Sequence, residues 1–160
     1  MLTLFDYSYW ATDQILAAAN RLSPEEFVAP SDITYRNLRE TLMFALDVER
    51  SWRRRIRGEP RATWEAKLPA ESFPTVRSLE EAWSVDEAEM RHWLESLDRD
   101  ALEATVDLGP KDRLPLSTFL MHILTHTAHQ RRDAVILLER AGRSPPEVDF
   151  LFYADSLRIP

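Results

Sequence analysis

Apolar residues recur at steps of three and four in separate stretches of this chain, a period that commits each stretch to a helix with one buried face. Leu4, Tyr7, Ala11, Ile15, Ala18 and Leu22 form the first stripe and predict a helix over 3–20. Leu38, Leu42, Ala45, Val48, Trp52 and Ile56 form the second, which runs to Gly58 with arginines in its last turns, where cations complement the helix dipole. Leu79, Ala82, Trp83, Met90, Trp93, Leu94 and Leu97 mark a third, opened by a capping box read in Ser78-Leu79-Glu80-Glu81. Residues 117–141 form a fourth, stopped by Gly142.

The connections are also informative. Ser23-Pro24-Glu25-Glu26 puts a cap residue, a proline at N1 and a glutamate at N3 in register for one short helical turn. Residues 59–77 hold Pro60, Pro69 and Pro74 without a sustained period, so they predict an irregular connection anchored by Trp64, Leu68 and Phe73. Its length suggests a crossover. Alternation over 104–108 and 113–116, across Gly109-Pro110-Lys111-Asp112, suggests a small β-hairpin before the last helix. The expected fold is therefore all-α: a four-helix bundle with a long crossover connection, one domain over 1–160, with function sited between helices.

Composition narrows the chemistry. The 160 residues contain no cysteine, which removes thiol nucleophiles, iron–sulfur clusters and disulfides and fits a reducing compartment. Only 3 glycines are present, too few for phosphate-cradling loops, and neither a His-Glu-x-x-His motif nor a glycine-flanked serine elbow occurs. The opening residues lack a basic segment followed by an apolar one, so a cytoplasmic protein is expected. No apolar run approaches the roughly 20 residues of a membrane span. The net charge of −7 argues against a general affinity for nucleic acid or anionic membranes. Arg50, Arg53, Arg54, Arg55, Arg57 and Arg61 crowd one stretch; a solvated surface paired with acids explains them more simply than an anion site.

Three of the four histidines, His122, His126 and His129, lie on the last predicted helix within an arc of roughly 60°. On the same wheel Phe119, Ile123, Ala134 and Leu137 place the buried stripe so that Gln130 points inward with His126 beside it, leaving His122 and His129 toward the edge. Two histidines four residues apart are a familiar half-site for a metal. The simpler reading makes His126 an inward imidazole satisfied by a carbonyl or carboxylate. Asp47 and Glu49 on the second helix are candidate partners. Asp86 falls on the apolar stripe of the third, an odd place for a carboxylate without a partner unless it belongs to the helix surface. Glu89-x-x-His92 supplies only one of the two such motifs that a carboxylate-bridged di-iron bundle needs.

Taken together, several stretches resemble the DinB (damage-inducible, YfiT-like) family. They are Tyr9-Trp10-Ala11-Thr12-Asp13-Gln14-Ile15-Leu16, Leu38-Arg39-Glu40-Thr41-Leu42 through Glu49-x-x-Trp52, Leu120-x-His122-x-x-x-His126-Thr127-x-His129-x-Arg131, and Gly142-x-x-Pro145-Pro146-x-x-Asp149-Phe150. The resemblance spans essentially the whole chain. It implies a four-helix bundle, commonly homodimeric, that in many members binds zinc or nickel through three histidines, one on the second helix and two in a His-x-x-x-His step on the last. It further implies thiol transferases and isomerases in which the metal lowers the pKa of a thiol cosubstrate.

Aligned residue by residue, those three ligand positions hold Phe44, His126 and Gln130. Only one of the three can ligate zinc well. The expectation is a DinB-like protein with a degenerate metal site and no favoured cofactor, acting as a small-molecule-binding or stress-associated module with a pocket bordered by Phe44, His126 and Gln130. The alternative is a divalent-metal-dependent thiol transferase with a rearranged site, zinc or nickel being held by His126 with His122 or His129 and Asp47. A homodimer and a small-molecule ligand are the expected partners, and no catalytic residue is assigned.

Overall fold

The structure is a computed structural model and describes residues 1–158. The four stripes fold as four long helices: α1 (Leu2–Ala19), α3 (Leu38–Ile56), α5 (Val76–Glu95) and α7 (Leu116–Arg140). Shorter helices fill the connections: α2 (Pro24–Phe27), α4 (Arg61–Glu65), α6 (Arg99–Glu103) and α8 (Phe150–Ser156). The hairpin is present as β1 (Thr105–Asp107) paired antiparallel with β2 (Arg113–Pro115), Val106 opposite Leu114.

Side-chain caps fix where these helices begin. Ser23 and Glu26 close the expected capping box on α2, and Asn37 with Glu40 closes another on α3. For α5 the expected start is wrong by about one turn. Thr75, not Ser78, is the N-cap; its hydroxyl accepts from the Ser78 amide while the Ser78 side chain returns to the Thr75 amide. Val76 is thereby helical and buried, a position that the Ser78 reading left in the connection.

Each long helix packs extensively against two others, in the ring order α1–α7–α3–α5. The long 57–75 connection consequently joins two helices that pack together, whereas 20–37 and 96–115 cross the diagonals of the bundle. That segment is also more regular than its prolines suggest, carrying α4 and a 3₁₀ turn at Ala70–Ser72. Phe73 is buried as an anchor, and Trp64 is held by its carbonyl, which accepts from Ser51 Oγ at 2.6 Å.

Ile15, Leu16, Leu42, Leu46, Leu79, Met90, Leu120 and Ile123 are fully buried at the centre. Each such side chain contributes about 1.5–3 kcal/mol by leaving water. No helix among the described residues is long and apolar enough to cross a membrane.

Candidate functional site

Along the seam of α3 and α7 the helical repeat stacks rings from both helices. Phe44 and Trp52 are two turns apart on α3, and His122 and His126 one turn apart on α7. The His126 ring meets the edge of Phe44 at 5.0 Å between centroids, His122 meets Trp52 edge-on at 5.0 Å, and the two imidazoles are 6.1 Å apart. Trp52 in turn stacks on Phe119 at 5.6 Å. Cations sit at both ends: the Arg36 guanidinium lies 3.9 Å from the Phe44 ring centre and that of Arg55 5.1 Å from Trp52.

His126 is half-buried, with Nδ1 shielded from solvent and without a hydrogen-bond partner. Burial pulls its pKa below the ordinary histidine value, and His122, His129 and Arg36 add to the effect. The imidazole is therefore neutral at neutral pH. Gln130 is half-buried one turn further along α7, while His122 and His129 are exposed. Beside Phe44 a shallow cleft of about 150 Å³ is lined by Glu40, Met43, Phe44, Asp47, Lys67 and Leu68. Of the three residues expected to border a pocket, only Phe44 lines this one.

These donors do not suit the metal that the resemblance implies. Phe44 has no donor atom, and its ring packs directly against the one remaining imidazole. The rearranged set fails as well. Asp47 is engaged by Lys67, whose Nζ donates to Oδ2 at 2.9 Å, and no group of three His, Asp or Glu side chains able to hold an ion occurs among the described residues.

A second polar assembly occupies the centre of the bundle. Tyr9 on α1 donates its hydroxyl hydrogen bond to Glu49 Oε1 on α3, both side chains being buried. Burial raises the Glu49 pKa to about 8, reinforced by the Asp86 carboxylate. The Tyr9 phenol is raised as well, by burial and then by Glu49. Asp86 has the partner its position demanded: Arg53 Nη2 donates to its Oδ1 at 2.6 Å and Nη1 to its carbonyl at 3.0 Å. Glu89 accepts from the same Nη2 at 2.6 Å, whereas His92 faces solvent.

The arginine-rich end of α3 therefore divides. Arg53 is 1% exposed and belongs to the core, a correction to its reading as solvated surface. Arg55 pairs with Asp112 at 2.8 Å and Arg61 with Glu65 at 2.7 Å, as a surface paired with acids would.

The buried face of α7 is rotated by about 40° from the one read in the sequence. Leu116, Leu120, Ile123, Thr127, Arg131, Ala134 and Leu138 point inward, which moves His126 and Gln130 to the rim. Thr127 and Arg131 escaped the sequence reading because a stripe drawn through apolar residues alone omits polar ones. The Thr127 hydroxyl donates back to the Ile123 carbonyl at 2.9 Å, and Arg131 finds Ser8 on α1.

Comparison with curated proteins finds no match. The DinB family model, by contrast, matches residues 1–158. That match takes in all four long helices, the aromatic seam and the C-terminal segment, and the chain belongs to the DinB family.

Proposed function

We propose that this protein is a metal-independent member of its family, binding a small planar organic ligand along the α3–α7 seam. The observation that carries this reading is the contact of Phe44 with His126, 5.0 Å between ring centres, at two of the positions where the family resemblance puts metal ligands. An aromatic ring replaces a donor there, and the surroundings follow suit. Phe44, His126, His122 and Trp52 offer ring faces and edges for stacking. Arg36 favours a ligand with negative charge.

Elemental analysis of untagged protein, dialysed against zinc and nickel and then desalted, tests the reading. The expected result is no stoichiometric metal in the native sequence and recovery of metal in the Phe44→His, Gln130→His double variant, which rebuilds three imidazoles on the same scaffold. Stoichiometric metal in the native protein, lost in His126→Ala, would overturn it and favour the thiol-transferase alternative.

A further inference from the structure

On the opposite flank of α7 from the aromatic seam, the segment 145–149 runs alongside the helix and leaves a cleft of about 310 Å³. Tyr7, Ala128, Val135, Pro145, Pro146 and Val148 supply its neutral walls. The Tyr7 hydroxyl donates to the Val148 carbonyl at 2.9 Å and so ties the segment to α1. Tyr7 also meets Phe150 edge-on at 5.3 Å and Tyr153 at 5.9 Å, which secures the far end of the segment through α8. The cleft is thus a constructed feature of the fold.

Its charges are unusual. Arg131 is 6% exposed and makes no salt bridge among the described residues. Among the described residues it donates through Nη1 to Ser8 Oγ at 2.6 Å and to the Ser8 carbonyl at 3.3 Å, and the Tyr7 ring lies 5.5 Å from its guanidinium carbon. Ser8 and Tyr7 are neutral, and the carboxyl group that does act on Arg131, Glu49, is held in its protonated form at neutral pH by its own burial. A cation this deeply buried ordinarily has a carboxylate partner. Arg53, the other buried arginine in this protein, has two. The planar guanidinium is suited to a carboxylate brought by a ligand.

The rim carries the opposite sign. Glu139, Glu147 and Asp149 are exposed around the cleft, with Arg132 the one other cation lining it. Such a rim repels a polyanion and attracts an ammonium group. We propose that the cleft between α1, α7 and the 145–149 segment binds a small zwitterionic amino carboxylate, its carboxylate on Arg131 and its ammonium group turned toward the acidic rim. The apolar walls suit a short aliphatic side chain. The site is independent of the α3–α7 seam, and Phe44 variants leave it intact.

Isothermal titration of the full chain with L-leucine, 4-methylpentanoate and 3-methylbutylamine tests this. The second probe lacks the ammonium group and the third lacks the carboxylate. The expected result is binding of leucine, with each single-charge probe weaker by about tenfold or more. Arg131→Gln should abolish leucine binding. Because Arg131 also holds Ser8, Ala128→Trp is the companion variant: Ala128 is exposed, so the indole fills the cleft without disturbing the core. Glu139→Gln combined with Asp149→Asn should weaken leucine about tenfold and leave 4-methylpentanoate unchanged or tighter. The proposal is overturned if leucine does not bind, if 4-methylpentanoate binds as tightly, or if folded Ala128→Trp binds leucine like the native protein.

Discussion

The Tyr9 hydroxyl donates to Glu49 across the bundle axis, joining α1 to α3 over a sequence separation of 40 residues. These two helices lie diagonally opposite and share no extensive contact, so this polar pair spans the core where apolar packing does not. Burial of Glu49 beside Asp86 makes the protonated carboxyl its stable form at neutral pH.

Stability should accordingly fall as pH rises. Glu49 titrates at about 8 in the folded protein against an ordinary 4.5, so the folded state binds its proton more tightly than the unfolded one. The stability tied to that proton is complete below the unfolded value and lost as pH rises through about 8. Asp13, raised to about 6 by burial and then by Glu87, acts in the same sense. His126, shifted down, acts in the opposite sense below about 6.5, which makes the interval from pH 7 to 9 the cleanest. Urea denaturation across that interval should show stability dropping by about 1–1.5 kcal/mol. Glu49→Gln, which keeps an acceptor for Tyr9, should flatten the slope. A native profile as flat as that of the variant would contradict the assignment.

Arg53 and Asp86 form a buried pair whose members have very different costs of removal. Arg53→Met leaves the buried Asp86 carboxylate with only the longer 3.8 Å contact to Arg50 Nε and should destabilise the fold by about 3–5 kcal/mol. Arg53→Met with Asp86→Leu removes both charges and should recover most of that loss. The double-mutant cycle, measured by chemical denaturation at pH 7, checks the coupling. Additive losses would show that the two side chains do not depend on each other.

His126 should titrate below the ordinary histidine value of about 6.5 in an NMR pH series. Phe44→Ala opens the packed side of the imidazole to water and should bring its pKa back up toward that value. No upward movement in the variant would mean that the Phe44 ring is not what keeps His126 dry.

The helices were legible because each carries its own evidence within about twenty residues, in periodic apolar positions and local caps. Even the α5 start was misread by a single turn, where two overlapping cap signals, Thr75 with Ser78 and Ser78 with Glu81, compete. Contacts made at long range were not legible. Nothing near Arg53 announces that Asp86, 33 positions away, will neutralise it, and a run of arginines reads as surface until one is found in the core. The departure at Phe44 and Gln130 was readable by alignment to the resembled family. That the phenyl ring would close on His126 was not, since it depends on how α3 and α7 are rotated against each other.

The ring order of the helices has a consequence for how this protein is made. Ser8 leaves the ribosome well before Arg131, the side chain that donates to its hydroxyl 123 positions later. At synthesis rates of about 5–20 residues per second, α1 waits roughly 6–25 s for its neighbour α7. Until then Phe5, Ile15 and Leu16 lack part of their packing surface, and of the two long helices that flank α1 only α5 is available to cover them. A helix made before α7 is thus locked in place only once α7 has followed it.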